Sequence, residues 1–116
     1  MRYDLIIPLY DSKVTIAIEE DFAALVEEAG YYQDTKGATA ICLHYPDNPS
    51  NFVILFKEGN ISPGIIAHEC FHLTCKIMDA VDIEYQVKNH EAFAYLMGFV
   101  AEGIHQIILK HEADTD

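Results

Sequence analysis

The chain has 116 residues, 51% hydrophobic and 22% charged, the composition of one folded domain with room for a core and none for a second lobe. With 19 acidic against 7 basic side chains the formal charge is −12, which excludes nucleic acid as an expected ligand because polyphosphate is repelled. Three cysteines with no C-x-x-C pair exclude a disulfide framework and a four-cysteine zinc site. The start of the chain lacks the regions of a signal peptide, and no uncharged stretch reaches membrane-span length, so a cytoplasmic protein without a membrane segment is expected.

Leu5-Ile6-Ile7 and Val14-Thr15-Ile16-Ala17-Ile18 are short apolar runs rich in β-branched residues, and they predict a hairpin. Pro8 assigns the first run to a sheet edge or a bend. Glu19-Glu20-Asp21 is expected to open a helix, with its acids at the positive end of the dipole, Phe22, Leu25, Val26 and Ala29 as apolar face, and Gly30 as its end. A polar connector over residues 31–37 then leads to a strand over 38–45. The cluster from Pro46 to Asn51 is turn chemistry, and Phe52 to Phe56 is the returning antiparallel strand.

Ser62 and Pro63 supply an N-cap and a first helical residue for a helix expected to reach Asp79 or Ala80. After a connector over 81–88, residues 89–110 form the longest helix. Its apolar residues, among them Phe93, Leu96, Phe99, Val100 and Ile104, cover more than half the circumference and predict a buried central helix. The acidic end, 112–116, is expected to fray. The predicted fold class is α+β: a single domain over 1–116, with a small antiparallel or mixed sheet packed on helices, the last two of which carry the site.

The helix after Pro63 contains His68-Glu69-Cys70-Phe71-His72, an H-E-x-x-H run. Histidines four apart are separated by about 6 Å of rise and project from one helix face, so both can grip one metal ion. Glu69 sits about 100° around the axis, placed to reach a water on that metal without binding the metal itself. Metal-assisted hydrolysis needs this division: histidines hold Zn²⁺, zinc acidifies a water, and a carboxylate takes the proton. The bland alternative is a pair of surface histidines.

A hydrolytic zinc normally has three protein ligands. Cys75 and Met78 stand where the metzincin pattern needs glycine and histidine, which excludes that branch. The alternative is a glutamate on a later helix, and Glu91 lies 19 residues beyond His72, with His90 as its rival. Tyr95, Gly98, Glu102 and His105 continue a polar stripe from Glu91. That stripe is either the face the helix turns to water or, through Tyr95, a donor beside the site.

On these residues the chain resembles the gluzincin branch of zinc metallopeptidases. The run Glu91-Ala92-Phe93-Ala94 is similar to a pattern of small ImmA/IrrE-like and other prophage-borne zincins. The resemblance spans residues 50–105 and implies a minimal zincin-like domain that binds Zn²⁺. It implies His68, His72 and Glu91 as zinc ligands, Glu69 as general base, and a peptide or protein as substrate. It also makes Phe52 to Phe56 the edge strand that receives substrate in extended form. The chain departs from the larger gluzincins in having Tyr95 where they have an aspartate and in having no C-terminal lobe. Two functions follow: a zinc-dependent metallopeptidase, or a zincin-derived, phage-encoded protein-binding module that holds zinc without efficient catalysis.

Overall fold

The computed structural model of the protein describes residues 1–31 and 37–115. Its elements are β1 (Arg2–Ile7), β2 (Ser12–Glu19), α1 (Ala23–Glu28), β3 (Ala40–Tyr45), β4 (Asn48–Lys57), α2 (Pro63–Ala80) and α3 (His90–Thr115), with 3₁₀ turns at Pro8–Tyr10 and Val87–Asn89. The strands form one sheet in the order β1-β2-β4-β3. β1 and β2 pair antiparallel, as do β3 and β4, whereas β2 and β4 pair parallel. The class is therefore α+β with a mixed sheet.

β2 and β4 read as nearly continuous apolar runs because both of their faces are covered. Val14, Ile16 and Ile18 alternate onto the same face as Phe52, Ile54 and Phe56, and α2 and α3 pack there. Ala17, Val53 and Leu55 point to the other face, which α1 covers through Phe22 and Val26. Each fully buried side chain of this size contributes about 1.5–3 kcal/mol. The larger cluster on the α2 and α3 face is thus the main source of stability.

Several expectations need correction, and the turn expected over Pro46–Asn51 is shorter, because β4 begins at Asn48. Phe52 to Phe56 is not an edge: β4 is paired on both sides, and the edge strand beside α2 is β3. Parallel pairing of β2 with β4 inserts β4 into the middle, and no local turn signal encodes that pairing. The acids at 19–21 do not open a helix, since β2 runs through Glu19, which pairs with Lys57 across the sheet, and α1 begins at Ala23. A dipole contribution of about 0.3–1 kcal/mol does not outweigh a strand position. Asp21 still accepts the Ala23 N–H at 3.0 Å, and Gly30, at φ +94°, ends α1 as expected. Most of the predicted connector, residues 32–36, lies outside the described residues.

Another correction concerns α3, which is not central. It buries one stripe, Phe93, Leu96, Val100, Ile104 and Ile108, while Tyr95, Phe99 and Leu109 stay exposed. A helix lying across one face of a small sheet has only one side to cover. Gly103 lets it approach β1, because a Cβ there would stand 2.7 Å from Leu5 Cδ1. Its C-terminal end is helical through Thr115 instead of frayed. His111, buried near that end, has Nδ1 3.0 Å from the Tyr3 hydroxyl and Nε2 2.8 Å from the Glu58 carboxylate, tying the helix to β1 and to the turn after β4. Among the described residues, the stretch Val87–Asp114 is the one helix long and apolar enough to cross a membrane by length and composition.

α2 follows its sequence signals closely. Ser62 Oγ accepts the Ile65 N–H at 3.2 Å, Pro63 occupies the first turn, and the helix ends at Ala80. Asp82 in the left-handed region, φ 59°, lets the Ile83 N–H reach back to the Met78 carbonyl.

Candidate metal centre

Cys70, Leu73, Ile77 and Met78 turn one side of α2 into the core, and the other side carries His68 and His72 in solvent. Their Nε2 atoms are 3.1 Å apart and their ring centroids 4.7 Å apart. At that distance two bare lone pairs repel, so either one Nε2–H donates to the other or both lone pairs face a cation. Tetrahedral zinc with Zn–N of about 2.0–2.1 Å separates two such nitrogens by roughly 3.3–3.4 Å. The pair is a small ring rotation from that bite.

Glu69 turns the other way, into the protein. It is 5% exposed, and its buried Oε2 has no hydrogen-bond partner. With His68 it lines a cleft of about 300 Å³ between the first turns of α2 and the start of β3, walled by Thr39, Ala40, Gly64 and Ile65. Burial holds the Glu69 carboxyl above the ordinary glutamate range, with the positive charge of His72, His68 and Lys76 pulling the other way. Leaving a buried polar atom unpartnered costs about 1–3 kcal/mol, and more when it is charged. Native proteins tolerate this where the group has work to do or an ion or water to meet.

Burial, with Glu69's charge next, pushes the Cys42 thiol up to about 12, and burial pushes that of Cys70 up to about 11, so both are protonated at neutral pH in the metal-free protein. A second hollow, about 210 Å³, continues the seam between sheet and α2 and is lined by His44, Phe52, Lys76 and Asp79.

Glu91 is placed apart from this constellation. It sits in the first turn of α3, 71% exposed at its side chain, with Oε1 3.2 Å from His90 Nε2. His90 in turn donates through Nδ1 to the Val87 carbonyl at 2.6 Å. Among the described residues, no three His, Cys, Asp or Glu side chains gather closely enough to hold a metal ion. The structure therefore brings together His68 and His72, turns Glu69 inward away from them, and leaves Glu91 and His90 outside. Tyr95, 77% exposed, lines a hollow with Ile7, Pro8 and Tyr10 and does not line the cleft at Glu69.

No family model, curated protein or solved structure matches the chain. The chemistry of the site rests on its own geometry. Sequence reasoning did not find β3 as the cleft wall, and nothing local could have revealed it. Lys76 was within reach, since it lies four residues beyond His72 and seven beyond Glu69, on one helical face.

Proposed function

We propose that the protein is a zinc-dependent peptide hydrolase of a minimal, gluzincin-like kind, with His68 and His72 as metal ligands and Glu69 as general base. The observation that carries this reading is Glu69: its carboxylate is buried and missing a partner at Oε2, and the residue lines a cleft together with His68. A helix with a purely structural task has no reason to bury a carboxylate oxygen alone.

Zinc held at the pair supplies a polarising charge and an acidified water. The protein's own residues do the rest. Glu69, with proton affinity raised by burial, takes a proton from a water in the cleft and returns it to the leaving amine. β3, an edge strand among the described residues, would receive an extended peptide through its outward backbone N–H and C=O groups. Glu91, which pairs with His90 in the structure, would be the third ligand of this proposal.

The exposure of Glu91 favours a second reading, a zincin-derived binding module whose cleft docks a partner without cutting it. Zinc titration followed by elemental analysis, run beside a cleavage assay on unfolded proteins, separates the two. One zinc per chain is expected, lost in His72→Ala, and weakened far more by Glu91→Ala than by His90→Ala. Glu69→Gln should keep the metal and lower hydrolysis by about 10²-fold or more. Zinc binding without cleavage by the wild type selects the module, and failure to bind zinc at all removes both readings.

A further inference from the structure

The first turns of α3 and the 3₁₀ turn after β1 enclose an apolar groove of about 420 Å³ on a flank of α3 that the sheet does not cover. Ile7 and Leu96, both part of the main core, form its floor. Pro8 and Tyr10 form one wall, and Tyr95 and Phe99, 77% and 48% exposed, form the other. A contiguous apolar hollow of this kind on a surface marks a docking site.

Charge selects the occupant. Among the described residues no charged side chain lines the groove, and the exposed acids Asp11, Glu91 and Glu102 lie within three residues of its lining, against one exposed base, Lys88, four residues before Ala92. Of the bases close in sequence, Lys13 lines a hollow on the α1 face of the sheet and Lys88 precedes α3. A formal charge of −12 repels a second copy of the chain and an anionic bilayer, and it attracts a cation. We propose that this groove is the docking site for a basic, amphipathic segment of a partner protein. The segment inserts large apolar side chains between Tyr10 and Phe99 and sets lysines or arginines against Asp11, Glu91 and Glu102.

Because Glu91 is also the proposed third zinc ligand, the proposal is tested in chelator-treated protein. The probe is a labelled synthetic amphipathic helix of leucine and lysine, at physiological salt, compared with a twin carrying glutamate for lysine. The lysine peptide should bind saturably and the glutamate twin should not. Amide resonance shifts should be confined to residues 8–11 and 92–102. Tyr95→Ser, at a site exposed enough to leave folding intact, should weaken binding about tenfold, as for an interface anchor. Phe99→Ser should do the same, and Glu102→Gln should weaken binding a few-fold and flatten its salt dependence. Equal affinity in wild type and Tyr95→Ser, shifts spread over the acidic surface, or binding of the glutamate twin would each overturn the proposal. So would loss, on Tyr95→Ser, of self-association in sedimentation or of binding to neutral phosphatidylcholine vesicles, because the groove would then belong to another occupant.

Discussion

Helices α2 and α3 pack side by side on one face of the sheet, yet each treats polarity differently. α2 takes a carboxylate inside, Glu69 at 5% exposure, and leaves two imidazoles in solvent. α3 takes an imidazole inside, His111 at 2% exposure, and leaves Tyr95 and Phe99 in solvent. The two buried polar groups are not equivalent. His111 is answered by Tyr3 and Glu58, which explains it as a structural clamp at the end of the helix. Glu69 Oε2 has no hydrogen-bond partner among the described residues, which the proposed role as general base would explain. Partnership, more than burial, separates the two groups.

The comparison can be broken first at the shared core. Ile77→Ala in α2 and Ile104→Ala in α3 remove fully buried side chains and should each cost about 2–5 kcal/mol in urea denaturation. A cost below about 1 kcal/mol for Ile104→Ala would mean that α3 is not docked on the sheet as described.

A smaller effect of opposite sign is expected at Glu69. With burial raising its carboxyl, the native state binds more protons than the unfolded state above the ordinary value of 4.5, so stability falls as pH rises through that range. In metal-free protein Glu69→Gln should therefore be more stable than wild type at neutral pH, by about 1–3 kcal/mol. The gain should fade as pH falls below 4.5. A gain that does not change with pH would point to packing in place of charge.

The smallest effect is expected on the bare flank of α3. Tyr95→Ser should change stability by no more than about 0.5 kcal/mol, since the side chain is mostly in water. A larger loss, read from thermal melting, would show that Tyr95 belongs to the core and not to a docking surface.

Much of α2 was legible before the structure, because its signals are local. The cap at Ser62, the proline at 63 and the end at Ala80 each depend on neighbours within a turn. The shared face of His68 and His72 follows from helical periodicity alone. α3 was legible as a helix and misread as buried, since periodicity counts apolar residues but not the area available to cover them. For Glu91, a spacing of 19 residues from His72 permits a meeting without fixing where a first-turn side chain points. The local pair it makes with His90 was open to sequence reasoning, but its competition with a ligand role was not.

By itself the sequence determined the kinds of element and most of their limits, the α+β class, and the H-E-x-x-H face of α2, all of which follow from caps, turn chemistry and periodicity within a few residues. Only the tertiary structure decided that β4 is central, that β3 is the edge strand beside the cleft, that Glu69 is buried, and which flank of α3 the sheet leaves uncovered among the described residues. Those outcomes hang on the parallel register that sets Lys13 beside Asn51 and Glu19 beside Lys57. Such a register is chosen by the burial of two sheet faces at once, a property of the assembled layers that no stretch of neighbouring residues carries.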